Sequence, residues 1–279
     1  MSHYQVRPLL SHQPLHDAVD VNLSFDLGLS TAQAKLTNAG LMFREYEPIL
    51  WPDLKKIAEE ENSVFEFFED GEIQKVSSFS DELQRSYSLF PTQSAPTMLV
   101  SGITMHRIIN CDPHQDTINK IKAFGAPPTG RVLDTTMGLG YTAIQAARTA
   151  ASVTTIELDP AVVEICRYNP WSSALFEKEN ITRRVGHAWD VIEELSDGSF
   201  SAIVHDPPMF NMAGELYSLD FYKELYRLLG HKGRLFHYIG NPKSKSGSTV
   251  TRGTIKRLKE AGFKRVMGRE QAFGVLAVK

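Results

Sequence analysis

Two rhythms of apolar and polar positions divide the chain. Up to about residue 115, apolar residues come in short runs broken by Gly, Pro, Asp and Ser, the mark of short strands joined by turns. Residues 63–77 carry apolar runs on either side of Asp70-Gly71, a dipeptide favoured in tight hairpins because both residues tolerate positive φ, and a hairpin is predicted there. Residues 52–62 open on Pro52 and space their apolar side chains for a short helix.

From about residue 116 strands alternate with helices. Residues 131–134 form a short apolar run ending in Asp134, followed by a glycine turn and a helical stretch over 142–151. Further strands are predicted at 153–157, 201–206 and 233–239, with closing strands at 263–267 and 274–278. Helical spacing falls at 160–168, 173–179, 221–229 and 251–261, and residues 243–248, rich in Ser and Lys, read as a mobile loop. The alternation predicts an α/β fold with a mostly parallel sheet and helices on both faces, whose ligands bind beyond the carboxyl ends of the strands. A smaller strand-rich α+β domain over 1–115 precedes it, and 116–279 forms the main domain.

Composition changes this picture little. With 42% hydrophobic and 23% charged residues in 279, wholesale disorder is excluded. Cys111 and Cys166 are too few for a disulfide framework or a thiolate metal site, and no run is apolar enough to span a membrane. A cytoplasmic protein is expected. The net charge of -3 hides a split: residues 1–118 hold 8 basic and 17 acidic side chains, whereas 119–279 hold 22 and 16. Two units with different surroundings, and a small-molecule substrate near their meeting point, are the expectation.

The chemistry-bearing residues lie where the strands of the second part end. Asp134, Gly138 and Gly140 form a D-x-x-x-G-x-G turn, in which the glycines permit a sharp backbone turn and close approach of a ligand; packing of helix on strand is the alternative. It is neither a G-x-G-x-x-G fingerprint nor a P-loop. Glu157 ends the next strand, where a carboxylate can accept from both ribose hydroxyls. Asp190 follows the third strand beside Trp189, either contacting a base or capping the helix 191–195. After the fourth strand, Pro207 and Pro208 hold Asp206 rigidly at the sheet edge, suited to orienting an amine or accepting its proton. Glu215, Tyr217 and Tyr222 could line a pocket, and no histidines share metal-ligand spacing, so no metal is expected.

In the order of these motifs the chain resembles the class I S-adenosylmethionine-dependent methyltransferases over residues 116–279, which implies their seven-stranded, doubly wound, Rossmann-like sheet. The resemblance implies that Gly138 and Gly140 approach the methionine part of S-adenosyl-L-methionine, while Asp134 helps bind its amino group. It assigns Glu157 to the ribose, Asp190 to the adenine amine and Asp206 to the transferred group. Residues 153–165 and 206–235 are similar to spermidine synthases and to related archaeal predicted methyltransferases. Gly102, Met105, His106 and the Asn169-Pro-Trp-Ser172 stretch match the latter group. The substrate pocket so implied takes in His106, Tyr141, Pro207, Pro208, Glu215 and Tyr217.

Two departures separate the chain from aminopropyltransferases. Met209 replaces the second carboxylate of D-x-x-D, and Asp134 stands where their glycine-rich turn has no acid. Both favour the intact, carboxylated donor. The D-P-P motif also resembles the [DN]-P-P-[YFW] of base amino-methyltransferases, with Met209 in place of the stacking aromatic. An amine or other small nucleophile is therefore the expected acceptor. An aminopropyltransferase, an RNA base methyltransferase, an RNA-binding module using the basic residues Lys243, Lys245, Arg252, Lys256, Arg257, Lys259, Lys264 and Arg265, and a homo-oligomer remain alternatives.

Overall fold

The structure is a computed structural model that describes residues 1–12, 17–210 and 212–279, leaving the side chains of Lys245 and Ser246 outside the description. The chain divides into two compact units, Met1–His114 with Ala161–Ser173, and Gln115–Pro160 with Ala174–Lys279.

The first unit is built from short antiparallel strands. Val19–Leu23, Ala32–Leu36, Gly40–Met42 and Ile49–Leu50 form one four-stranded sheet in chain order, and Ser77–Ser80, Arg85–Phe90, Thr97–Val100 and Ile103–Thr104 a second. Leu36, Leu41, Ile57, Leu54 and Phe65 make its core, supplied in part by the amphipathic helix Trp51–Glu59, which starts with Pro52 in its first turn. Around Asp70-Gly71, Phe65–Phe67 pairs antiparallel with Ile73–Lys75. The turn differs from the tight type expected. Of its two central residues only Gly71 takes positive φ, and five residues loop out, closed by Gly71 N–H donating to Phe68 O.

The second unit holds one seven-stranded mixed sheet. Its strands, in chain order, are β1 (Arg131–Asp134), β2 (Ser152–Glu157), β3 (Ile181–Val185), β4 (Phe200–His205), β5 (Leu229–Tyr238), β6 (Arg265–Arg269) and β7 (Gly274–Val278), arranged 3-2-1-4-5-7-6. The first five run parallel; β7 pairs antiparallel with both β5 and β6. The antiparallel edge is more pronounced than the mostly parallel pattern suggests, because the last two strands are joined by a tight connection rather than a helical crossover. Phe273, at φ +49°, makes that turn.

Val132, Leu133, Ala202, Ile203 and Val204 are completely buried, as central parallel strands covered on both faces must be. The helices in and beside this part of the chain are α1 (Pro113–Lys122), α2 (Tyr141–Ala146), α3 (Pro160–Arg167), which falls almost wholly in the first unit, α4 (Ala174–Glu177), α5 (Ala188–Glu193), α6 (Leu219–Leu228) and α7 (Lys245–Glu260). Helix α2 stops well before residue 151, where Asn180 Nδ2 donates to the carbonyls of Ala147 and Ala150 and satisfies its open end. Helix α7 begins at Lys245, so most of the segment expected to be a loop is its first turn; Ser244 caps it by accepting from Gly247 N–H.

Candidate active site

The strand order reverses between β1 and β4, which lie side by side and parallel, and the crevice at such a switch point is where open α/β sheets bind ligands. Asp134 ends β1 with no exposure, and Thr155 Oγ1 (2.8 Å) and Thr142 Oγ1 (3.3 Å) donate to its two oxygens. Burial pushes its carboxyl up to about 8, against the downward pull of the Thr155 hydroxyl and with the charge of Asp206 adding to the rise.

The turn that follows is folded tightly. Met137 N–H donates to Ile156 O, Gly140 N–H to Met137 O, and Gly138, at φ +52°, donates its N–H to Glu157 Oε2 at 2.9 Å. Glu157, half-buried at the end of β2, also accepts from Asp159 N–H, yet burial outweighs these bonds and lifts its carboxyl to about 7. Gly140 takes φ +76° as the residue before α2, and a Cβ there would overlap the Leu175 side chain. Its lack of a side chain thus serves helix packing.

Asp206 leaves β4 with its backbone carbonyl bonded by Thr136 Oγ1 and its side chain one-fifth exposed. Lys120, from α1, places its ammonium 2.6 Å from Asp206 Oδ2, 2.9 Å from Asp116 Oδ2 and 4.5 Å from the centre of the Tyr238 ring. Both α1 residues are almost wholly buried. Burial alone would pull the Lys120 pKa down; Asp206 and Asp116 push it up instead, so the lysine stays charged. Asp206 itself is raised by burial, which its lysine partner offsets only in part.

Behind this edge lies a neutral histidine pair. His205 Nδ1 pairs with Thr135 Oγ1 (2.7 Å) and Nε2 with Leu216 O, while His237 Nδ1 meets His205 O and Nε2 the Tyr222 hydroxyl. Burial holds His205 down to about 4 and His237 well below the usual histidine range.

Within the second unit, then, Asp134, Gly138, Glu157 and Asp206 gather at the carboxyl ends of β1, β2 and β4. Pro207 is buried, Pro208 exposed, and Pro208 O accepts from the buried Tyr217. Tyr141 is buried in the first turn of α2. Asp190 does not cap a helix: His187 does, accepting from Trp189 N–H right after β3, while Asp190 sits exposed in the first turn of α5. Trp189 packs against Phe221, 5.4 Å between ring centres, and donates to Glu193. His187 Nε2 lies 3.8 Å from the exposed Glu215. His106 belongs to the first unit, where its ring and its backbone N–H both meet Thr97 Oγ1. Tyr222 turns into the core to meet His237 rather than lining a pocket.

Sequence reasoning missed Lys120, Asp116 and His187. The segment carrying the first two had a helix signal in Pro113, with Asp112 accepting from His114 N–H, but nothing distinguishes an Asp and a Lys four apart on a helix from an ordinary solvated pair. His187 had a signal in its place immediately after Gly186, which ends β3 by donating to Glu157 O.

Comparison with known families makes the chain that carries these strand-end acids an S-adenosylmethionine-dependent methyltransferase. The chain belongs to the methyltransferase small domain family, which matches residues 118–259. It is 42% identical over 268 residues to the uncharacterized protein MJ1233 of Methanocaldococcus jannaschii, covering 93% of this chain and 90% of that one. Among solved structures, spermidine synthase in complex with the transition state analogue AdoDATO is similar in fold, with a TM-score of 0.61 at 16% identity over 81% of this chain and 84% of that one. Spermidine synthase from Thermotoga maritima gives 0.57 at 16% identity over 81% and 83%. MnmC2 from Aquifex aeolicus gives 0.52 at 18% over 71% and 72%. Among the described residues no group could hold a metal ion and no helix is long and apolar enough to cross a membrane.

Proposed function

We propose that the chain transfers a methyl group to an amine or other small nucleophile held by Asp206. The observation that carries this is the carboxylate fixed by Pro207 and Lys120 at the end of β4, beside the two acids of the donor edge. The residues fit the donor. Asp134 and Glu157 are both carboxyls whose charge burial opposes, and a ligand bearing an ammonium and a sulfonium would stabilise that charge. S-adenosylmethionine supplies an activated methyl on a good leaving group, so the protein's task is positioning and charge complementarity.

In this reading Asp134 faces the donor's amino group and Glu157 its ribose. His187, the cap of α5 just after β3, joins Asp190, exposed in the first turn of that helix, as a partner for the adenine. Asp206 accepts a hydrogen bond from the acceptor and orients its lone pair. The methyltransferase domain is read as 116–279, apart from 161–173, which pack with the first unit, and residues 1–115 as a domain for substrate binding or self-association.

The fold likeness to spermidine synthases favours one second reading, an aminopropyltransferase using the decarboxylated donor. Met209, exposed beyond Pro208, offers no second carboxylate for a diamine. Calorimetric titration with S-adenosylmethionine and with its decarboxylated form separates the two: the carboxylated donor binds at least tenfold more tightly if the chain is a methyltransferase. The reverse order overturns the proposal. Mass spectrometry of ligands that co-purify with the protein then addresses the acceptor.

A further inference from the structure

Nothing in the donor chemistry requires a lysine beside Asp206, yet one is buried there. An ammonium held between two carboxylates and over an aromatic ring is the arrangement by which proteins bind alkylammonium ligands. Lys120 fills that arrangement from within: Asp206 Oδ2 at 2.6 Å, Asp116 Oδ2 at 2.9 Å and the Tyr238 ring at 4.5 Å. Only one oxygen of Asp206 is committed to it, and the carboxylate keeps some exposure for a second contact.

Resting on the reading of Asp206 given above, we propose that Lys120 is a positioning residue, a built-in ammonium that occupies the cation site formed by Asp116, Asp206 and Tyr238. It fixes the rotamer of Asp206, keeps that carboxylate ionised and leaves a single oxygen for the acceptor. The acceptor therefore enters as a neutral nucleophile hydrogen-bonded to that oxygen, and the carboxylate pair is closed to the ammonium of a diamine.

The groups that face Asp206 make the lysine necessary. Asp116 on α1, Asp134 on β1 and the Tyr217 phenol act on its charge, the Tyr238 ring lies beneath the lysine, and Lys120 is the cation bonded to it. Without the lysine, two adjacent buried carboxylates would share a proton, as like charges at close range cannot both ionise.

The experiment cuts the lysine out and returns its ammonium. Lys120→Ala leaves a gap of the size of propylammonium. Thermal unfolding of Lys120→Ala is expected to rise saturably with millimolar propylammonium and not with 1-propanol, while the wild type and Lys120→Arg respond to neither. Equal responses of Lys120→Ala and wild type to propylammonium overturn the proposal.

A second readout is insensitive to a purely structural role. Sinefungin, a donor analogue with an ammonium near the position of the transferred methyl, is compared with S-adenosylhomocysteine by calorimetry from pH 6 to 8. The wild-type preference is expected to stay flat. In the isosteric Lys120→Met it climbs about tenfold with pH as the carboxylate pair loses its shared proton. A flat Lys120→Met profile counts against the proposal. Failure of the wild type to bind either analogue would instead strike at the donor-site reading, leaving the propylammonium test standing.

Discussion

Asp134 and Glu157 reach the sheet edge in surroundings that resist their charge, so under the proposed function donor binding is a proton-linked event. With carboxyls near 8 and 7 before binding and both ionised against a cationic ligand, roughly one and a half protons leave at pH 7. Donor affinity is expected to rise with pH from 6.5 and to level off above 8. Calorimetry in buffers of different ionisation enthalpy measures the release, and identical enthalpies in all buffers would contradict it. Glu157→Ala removes the acceptor of Gly138 N–H as well as the proposed ribose contact, so donor affinity should fall about 10- to 100-fold, the range for charge-assisted hydrogen bonds. Asp206→Asn keeps the shape but not the charge; transfer should fall while donor affinity stays within about threefold, a prediction checked by single-turnover assay beside calorimetry.

At the scale of elements, the turn from β1 into α2 and the first turn of α7 are the most exacting. Gly140→Ala would meet both an unfavourable φ and the Leu175 side chain, and is expected to cost about 1–3 kcal/mol in a urea unfolding series. Ser244→Ala removes the cap of α7 and should cost about 1 kcal/mol, felt as faster amide exchange over its first turn. The exposed basic residues Arg252, Lys256 and Lys259 lie on this helix, with Lys256 facing Glu260 at 3.7 Å. They look like a solvated face; salt-sensitive retention of bulk RNA, lost on their replacement, would restore RNA as a partner.

For the whole molecule, stability inherits the strain at the site. The unfolded chain ionises every carboxylate above pH 6, whereas Asp134 holds its proton up to about 8 in the fold. Its raised pKa means that stability declines as pH rises through this range, by about 1 kcal/mol between pH 7 and 8, levelling beyond. The neutral pair His205 and His237 works the other way below pH 6.5, where the unfolded chain takes up protons that the folded one refuses. Saturating donor should abolish the decline between pH 7 and 8, since it binds the ionised carboxyls. Denaturation curves with and without S-adenosylmethionine test both halves of this expectation.

The alternation of apolar runs determined the α/β class, the positions of four of the five parallel strands and the acids at the ends of β1, β2 and β4, because period and strand-end placement are local properties of a chain. The same holds for Asp70-Gly71 as a reversal and for Gly138 as a turn. What only the tertiary structure decided is who meets whom. Lys120 and Asp116 look like an ordinary surface pair until α1 turns them onto Asp206, 86 residues further along the chain. His187 rather than Asp190 caps α5 because β3 ends one residue before Gly186, a boundary no periodicity resolves. Gly140 owes its glycine to Leu175, and the antiparallel edge to the tight turn at Phe273. Charge and packing across the sheet are set by distances that sequence spacing does not contain, and there the fate of each carboxylate at the site is decided.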